Sequence, residues 1–247
     1  MTTQPRYFDV IDATWPASNT QQIGGFLVRD GRDADGASGG KRVSAASQTG
    51  AQFDPADIDA VEAAQRAMDQ TPLFMIRGGD TALDSALAAR GYRVIDPVVL
   101  YGAPIDALVG DPPPKVSTFC IWGPLAIQRD IWAAGGIGPA RMAIMERAGA
   151  PKTSILGRMK DHPAGTAFVA IHDGIAMVHA MEVLPEQRRQ GWGRYAMRRA
   201  AIWAREHGAT EMALLCVKDN TAANGLYSSI GMVPVGEYHY RSLEGGE

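Results

Sequence analysis

The segment from Val183 to Gly193, with the sequence V-L-P-E-Q-R-R-Q-G-W-G, carries the clearest chemical signal in the chain. The apolar run Ile175 to Val183 precedes it and the amphipathic run Arg194 to His207 follows, so the sequence predicts a strand, a turn and a helix. The first N–H groups of a helix have no partner within the helix, and the helix dipole adds partial positive charge there. Because Gly191 and Gly193 expose their backbone, this turn is suited to binding a phosphate group.

Two common phosphate-binding loops do not match these residues. A Walker loop requires Gly-Lys-Ser/Thr, and the dinucleotide-binding fingerprint requires a third glycine at a fixed spacing; neither follows Gly193. The remaining pattern, V-x-P-x-x-R-x-x-G-x-G after a strand, closely resembles the acetyl-CoA signature of the GNAT acetyltransferases. Further along, Asn220 to Met232 read N-x-x-A-x-x-L-Y-x-x-x-G-[FM], which resembles the second motif of that family at its usual distance. The two motifs occur in the family's order and cover about the last third of the chain.

The resemblance implies that acetyl-CoA is the cosubstrate and that the turn binds its diphosphate. The residues of the turn then expected to contact acetyl-CoA are Arg188, Arg189, Gln190, Gly191, Trp192, Gly193 and Arg194. In the family, the strand before the turn diverges from its neighbour, and its free backbone groups pair with the pantetheine arm. Here those groups would belong to Met181, Glu182 and Val183. Asn220 and Tyr227, in the second motif, are the remaining expected contacts.

Transfer of acetyl to an amine also requires proton transfers. A primary amine has a pKa of about 10, so a base must remove a proton before the nitrogen attacks. Glu182 and His179 are the candidates; a regular strand points them to opposite faces, and a bulge would change that. Each has a plainer interpretation, Glu182 as an exposed strand residue and His179 as a core histidine. The resemblance assigns to Tyr227 the protonation of the leaving thiolate, and the alternative is a core aromatic side chain.

Composition excludes several other classes of protein. The 247 residues carry a net charge of −3, which argues against a general nucleic-acid-binding protein. The chain has no apolar run long enough for a spanning helix, and Met1 to Asp9 lacks the pattern of a signal peptide, so we expect a cytoplasmic protein without a membrane partner. Cys120 and Cys216 lie in apolar runs and are expected to be buried thiols. No Cys/His cluster has the spacing of metal ligands, so no metal is expected.

The two halves of the chain resemble each other at an offset of 140 positions. Asp80 to Ala82 correspond to Asn220 to Ala222, and Gly91 corresponds to Gly231, within the same order of helices and strands. The chemical residues do not recur, since Leu87 stands at the position of Tyr227. At the positions of the first arginine and the two glycines of the turn, the first copy has Gln48, Ala51 and Phe53.

These observations predict an α/β (α+β) fold made of two GNAT-like domains, each a mixed, mostly antiparallel sheet flanked by helices. The proline-rich residues 111–114 mark the linker. Residues 1–112 would form a degenerate domain without the cofactor motif, and residues 113–247 the acetyltransferase domain. Within the first domain, Lys41 to Ser47 are predicted as a strand, and Tyr7 to Trp15 as a helix or a strand.

The sequence therefore predicts an acetyl-CoA-dependent N-acetyltransferase that acetylates a primary amine of a small molecule or amino acid by direct attack. The choice of acceptor rests on an expected apolar, acid-poor pocket whose large side chains are Trp132, Met142, Met145, Tyr238 and Tyr240. Two alternatives stay open: transfer of a longer acyl group or acetylation of a protein or peptide amine, and a non-catalytic acyl-CoA-binding or sensing module. Tyr227 favours an enzyme, because a binding module needs no acid. The sequence leaves both a monomer and a homodimer open.

Overall fold

The structure of the chain is a computed structural model that describes residues 4–243, with side chains described from residue 6 onward. Its helices are α1 (Gln4–Thr14), α2 (Lys41–Ser44), α3 (Pro55–Ala67), α4 (Thr81–Ala89), α5 (Ile105–Val109), α6 (Ala126–Ala134), α7 (Pro139–Arg147), α8 (Trp192–Glu206) and α9 (Thr221–Ser229). Its strands are β1 (Asn19–Ile23), β2 (Phe26–Asp30), β3 (Ala46–Gln48), β4 (Leu73–Arg77), β5 (Arg93–Pro104), β6 (Thr118–Ile121), β7 (Lys152–Met159), β8 (His162–His172), β9 (Ile175–Val183), β10 (Glu211–Val217) and β11 (Val233–Ser242). A 3-10 turn, Pro185–Gln187, lies between β9 and α8. In the described part of the chain, no helix combines the length and the apolar character that crossing a bilayer requires.

The described chain divides into two compact units. The larger unit contains the residues up to 16, residues 100–216 and residues 220–235; the smaller unit contains residues 17–99, residues 217–219 and the residues from 236 onward. This division differs from the boundary predicted near residue 112. The reason is that the chain leaves one unit and enters the other in the middle of two long strands, β5 and β11. Each unit therefore draws on both halves of the sequence.

In the larger unit, the strand order is β10-β9-β8-β7-β6, with β5 beside β10. The strands from β6 to β9 are antiparallel to their neighbours, whereas β9 and β10 are parallel. On β8, Thr166 contacts α6 and the adjacent Gly165 contacts the first residue of α8. Adjacent residues of a strand point to opposite faces, so α6 and α8 cover opposite faces of this sheet.

The segment predicted as a helix or a strand near the start of the chain is the helix α1, which packs on β8 and β9. Polar contacts fix it there: Arg6 Nε lies 2.6 Å from a carboxylate oxygen of Asp173, and the Tyr7 hydroxyl donates to Glu211 Oε2 over 2.9 Å. These contacts place the beginning of the described chain with the larger unit.

In the smaller unit, the strand order is β1-β2-β3-β4-β11, in which β3 and β4 are parallel and the other pairs are antiparallel. The core centres on Phe74, whose ring meets Phe26 and Tyr92 in edge-to-face contacts with ring centroids 5.9 and 5.5 Å apart. The part of β11 in this unit is held by Asp84, which lies 2.7 Å from Arg241 Nε and 2.8 Å from His239 Nε2.

The repeat of 140 positions is visible in the backbone. α4 and α9 have the same length and begin at residues 81 and 221, and β5 and β11 begin at residues 93 and 233. Gly91 and Gly231 end these helices with φ values of 87° and 93°, a backbone conformation that glycine adopts without steric cost. The α/β fold of mixed, mostly antiparallel sheets flanked by helices is confirmed.

The prediction of a strand from Lys41 to Ser47 is wrong for its first residues. Lys41–Ser44 form the short helix α2, and only Ala46–Gln48 form a strand. The turn into α2 passes through Gly40 with φ 98°, which a residue with a side chain rarely adopts. The first copy therefore has a helical turn and a three-residue strand where the second copy has the end of β9 and the 3-10 turn.

Candidate acyl-transfer site

Strand β9 carries a bulge at the centre of the candidate site. Opposite Thr166 and Phe168 of β8 stand Glu182 and His179 of β9, so β9 has one more residue than β8 between these two pairs. Within the bulge Ala180 has a φ of 50°, which is uncommon for a residue with a side chain. One extra residue reverses the alternation of the strand, and its carbonyl leaves the normal ladder.

Trp132 of α6 satisfies that carbonyl. Its indole Nε1–H donates to the Ala180 oxygen over 2.7 Å, and the Trp132 side chain is fully buried. A buried carbonyl without a donor costs about 1–3 kcal/mol. The bulge is therefore held by a specific side chain of the helix that covers this face of the sheet.

The bulge places Glu182 and His179 on the same face of the sheet. Directly opposed residues of antiparallel strands share a face, and Thr166 and Phe168 lie two residues apart on β8 and therefore also share one. The condition under which the two candidate bases would share a face, a bulge between them, is met in the structure.

His179 is packed into the core beneath the bulge. It is 5% exposed, and its ring lies against Trp15 and Phe168 with centroids 4.9 and 6.2 Å away. Its Nε2 is 2.9 Å from the Thr14 hydroxyl, which itself donates to the Val10 carbonyl over 2.7 Å. This placement supports the interpretation of His179 as a core histidine.

Glu182 is half-buried at the end of α6. A Cβ added to Gly135, the C-cap of that helix, would lie 2.5 Å from Glu182 Cδ, so the carboxyl group packs directly against this glycine. Burial raises the pKa of Glu182 above its ordinary value, and the charges of Arg188 and Arg141 offset part of the rise. The helix C-terminus acts in the same direction as burial, because its carbonyl groups disfavour a negative charge. A carboxylate with a raised pKa is better matched to accepting a proton near neutral pH.

The turn before α8 presents a row of backbone N–H groups. The five consecutive amides from Arg189 to Gly193 have no hydrogen-bond acceptor within residues 4–243, and the Arg194 amide is the next to bond, to the Gly191 carbonyl over 3.1 Å. Arg189 and Gly191 have left-handed φ values of 61° and 90°. Left-handed residues interspersed in a turn make successive N–H groups converge into an anion-binding concavity. The helix dipole of α8 adds positive potential there.

Side chains of the turn hold its shape. Arg188 Nε donates to the Val183 carbonyl over 3.1 Å, and the Arg188 amide bonds to the Pro185 carbonyl over 3.3 Å. Gln190 Nε2 donates to the Glu186 carbonyl over 2.9 Å. Among the residues predicted to contact acetyl-CoA, Arg188 can therefore contribute its positive charge, because its backbone N–H is already bonded. The Val183 carbonyl likewise already accepts a hydrogen bond.

Trp192, the first residue of α8, anchors the turn to the sheet. Its side chain is 1% exposed and covers the paired residues Gly157 and Gly165 of β7 and β8, where any Cβ would overlap the indole ring. Trp192 is among the residues expected to contact acetyl-CoA, and the structure places its side chain in the core. Its backbone N–H remains one of the five unpaired amides.

Strands β9 and β10 separate next to the turn. They pair from Ile175 to Val178 of β9, and among the described residues the following part of β9 has no partner on the β10 side. Met181, Glu182 and Val183 therefore lie along a strand edge that an extended chain can join by backbone hydrogen bonds.

The second motif places a buried tyrosine beside this opening. Tyr227 lies on α9, is 8% exposed, and has its ring centroid 5.8 Å from that of Tyr101. Burial is the main cause that raises the pKa of Tyr227 well above its ordinary value, and the nearby Cys216 thiol on β10 adds to the rise. A phenol in such a site keeps its proton at neutral pH and is present there as a hydrogen-bond donor. Asn220 caps α9 by accepting from the Ala223 amide over 3.1 Å.

The side chains that the sequence predicts for an acceptor pocket are buried within their units. Trp132, Met142 and Met145 are buried in the larger unit, and Tyr238 and Tyr240 are buried in the smaller unit. Sequence reasoning also missed the contact of Gly135 with Glu182 and the role of the Trp132 indole. No pattern in the sequence gave the position of the bulge.

Residues 127–232 match the model of the Acetyltransferase (GNAT) family. Over 93 residues, the chain is 36% identical to a Bacillus subtilis (strain 168) protein described as uncharacterized N-acetyltransferase YobR. This segment is 37% of the present chain and 38% of that relative, so the similarity spans well under half of either protein.

Solved structures share the whole fold. A GCN5-related N-acetyltransferase from Kribbella flavida has a TM-score of 0.76 at 22% identity, covering 100% of this chain and 97% of its own. A tandem GNAT protein from the clavulanic acid biosynthesis pathway has a TM-score of 0.62 at 13% identity, covering 100% of this chain and 91% of its own. At these identities the likeness concerns the fold.

The matched residues 127–232 contain the bulge, the turn of unpaired amides and Tyr227, and they make up less than half of the chain. This match agrees with the resemblance that the two sequence motifs indicate, and the chain shares its fold with a solved tandem GNAT protein.

Proposed function

We propose that the protein is an N-acetyltransferase that transfers acetyl from acetyl-CoA to the primary amine of a small molecule or amino acid. The observation that carries the proposal is the row of five unpaired amides, Arg189 to Gly193, next to the point where β9 and β10 separate. The amides suit the diphosphate of coenzyme A, and the free edge of β9 at Met181, Glu182 and Val183 suits the amide groups of its pantetheine arm.

The residues of the chain then handle two protons. Glu182 accepts one proton from the acceptor's ammonium group and passes it to solvent, which leaves a neutral amine able to attack the thioester carbon. As the carbon–nitrogen bond forms and the carbon–sulfur bond breaks, Tyr227 donates its proton to the departing sulfur and regains one from the new amide nitrogen. The products are an amide and a free thiol.

Two measurements on the full chain test this function. Calorimetric titration with acetyl-CoA tests binding, and release of free thiol across a panel of amines, amino acids and peptides tests turnover and acceptor class. In Tyr227→Phe we expect kcat to fall by about 100-fold or more with little change in the KM of acetyl-CoA, because general-acid catalysis contributes about 10²–10⁴-fold. Tyr195→Phe, in α8, serves as the control and is expected to retain activity.

The outcomes separate the candidate functions. Absence of acetyl-CoA binding contradicts the proposal as a whole. Binding without thiol release on any amine favours an acyl-CoA-binding or sensing module, and turnover confined to peptide amines favours a protein or peptide acetyltransferase.

A further inference from the structure

A small cavity in the larger unit lies beside the first two turns of α8. It has a volume of about 140 Å³ and is lined by Ala107, Leu108, Gly110, Arg194, Arg198, Ser229 and Ile230. The structure leaves Arg194 and Arg198 both half-buried. The cavity therefore brings two guanidinium groups together in a confined space.

Neither guanidinium group in the cavity has an acidic partner among the described residues. Arg194 Nη2 donates to the Ser229 hydroxyl over 3.0 Å, and Arg198 Nη1 donates to the Asp111 carbonyl over 3.2 Å, both neutral acceptors. By contrast, Arg205, further along the same helix, lies 3.4 Å from a carboxylate oxygen of Asp106. Two like charges that are partly removed from water repel each other, and an anion between them relieves the repulsion.

The position of the cavity relative to the turn indicates which anion the two arginines bind. Arg194 directly follows the last of the five unpaired amides, and Arg198 lies one helical turn further on the same face. At a rise of about 1.5 Å per residue, Arg198 lies about 7 Å along the axis from Gly193. Coenzyme A carries its diphosphate on one side of a ribose and a third phosphate, a monoester, on the other side of the same ring.

Gly110 and Ser229 line the cavity beside the two arginines. Gly110 has a φ of 43°, and a Cβ added there would lie 3.4 Å from Arg198 Nε and 3.5 Å from its Cζ. Ser229 contributes a hydroxyl that donates to the Leu226 carbonyl over 2.7 Å and accepts from Arg194, so it fixes one guanidinium. The Arg198 guanidinium thus lies next to a backbone position that has no side chain.

We infer that Arg194 and Arg198 bind the ribose phosphate monoester of the cosubstrate, so that the protein selects complete coenzyme A over its 3′-dephospho form. This inference rests on the proposed function, because it takes the diphosphate to occupy the turn. Arginine side chains suit a phosphate monoester, since their planar donors pair with two of its oxygens at once. Sequence alone gave Arg198 no such role.

Calorimetric titration of the full chain with coenzyme A and with 3′-dephospho-coenzyme A tests the inference. We expect the wild-type protein to bind the dephospho form about 10- to 100-fold more weakly, as is typical for loss of a charged hydrogen bond. In Arg198→Gln, binding of coenzyme A is expected to weaken by a similar factor while binding of the dephospho form stays unchanged. Arg205→Gln, on the same helix, is the matched control and should keep the wild-type preference.

Each outcome decides one question. Failure of the wild-type protein to bind either compound contradicts the proposed function itself. Equal affinity for both compounds overturns the inference and leaves the function standing, and so does an unchanged preference in Arg198→Gln. Titration with inorganic phosphate tests whether the two arginines bind free phosphate instead of the ribose phosphate. The inference is also overturned if Arg198→Gln abolishes phosphate binding while the wild-type protein binds both forms of coenzyme A equally well. Unchanged binding of the dephospho form shows that the variant is folded.

Discussion

Replacing Gly135 with alanine should displace Glu182, the proposed base, while its carboxyl group stays chemically unchanged. The added Cβ would lie 2.5 Å from Glu182 Cδ and 2.7 Å from Oε2. Carbon atoms without a bond between them rest at about 3.5–4.0 Å, so the carboxyl group must move by about 1 Å. Gly135 has a φ of −86°, which alanine adopts without strain, so the backbone of the helix end should stay in place.

We expect Gly135→Ala to lower kcat by about 100-fold, because a misplacement of 1 Å at a reacting group costs about that factor. The KM of acetyl-CoA should change little, since the turn and the free edge of β9 are unaltered. Movement of Glu182 toward water also removes part of the burial that raises its pKa. The acidic limb of the pH–rate profile, which follows deprotonation of the base, should therefore move to lower pH.

The assay is thiol release with the best acceptor of the amine panel, measured across pH. Gly138→Ala is the matched control, because Gly138 also has a φ of −86° and a Cβ there would meet nothing within 4 Å. If both variants have the same kcat and the same acidic limb, Glu182 does not act as the base from its observed position, and the reasoning is refuted.

Three further predictions concern the structures that support the site. Gly157→Ala would force the Trp192 ring from its place and should lower the free energy of unfolding by about 1–3 kcal/mol in denaturant titration. Trp132→Phe removes the hydrogen bond to the Ala180 carbonyl and should cost about 1–3 kcal/mol by the same measurement, together with a loss of kcat. Arg241 and His239 hold the pKa of Asp84 below its ordinary value. The stability that Asp84 contributes is therefore present above its unfolded-state pKa and is lost as pH falls through its lower folded-state pKa. The difference in unfolding free energy between wild type and Asp84→Asn should shrink over that acidic range.

Controls distinguish these effects from general damage. Gly149→Ala adds a Cβ where nothing lies within 4 Å and should leave stability nearly unchanged. A Trp132→Phe protein with wild-type stability would show that the bulge does not depend on the indole N–H. A constant stability difference between wild type and Asp84→Asn throughout the acidic range would contradict the assigned pKa shift.

The sequence predicted those parts of the site that depend on local order. The end of β9 at Val183 and the helix that follows the glycine turn agree with the apolar run and the amphipathic pattern, because both are set by neighbouring residues. The repeat of helix α4 as α9 follows from spacing in the same way.

The parts that depend on distant contacts were not predictable from sequence. The bulge at Ala180 requires a donor from Trp132, 48 residues away in the chain, and no periodicity records that contact. The same holds for Gly135 against Glu182 and for Arg198 against Gly110. The short helix α2 also escaped prediction, since a single turn of helix has too few residues to show a period.

The passage of β5 and β11 from one unit to the other has a practical consequence for anyone who divides this protein. A cut at the proline-rich residues 111–114 would leave the C-terminal fragment without α1 and without the last residues of β5. The N-terminal fragment would lose the strand that pairs Ser242 with Leu73 and Tyr238 with Arg77. The duplication can be recognised in the sequence, but the two units of the structure do not correspond to the two halves of the chain. A gene fusion or truncation designed at the apparent midpoint would therefore cut through both units.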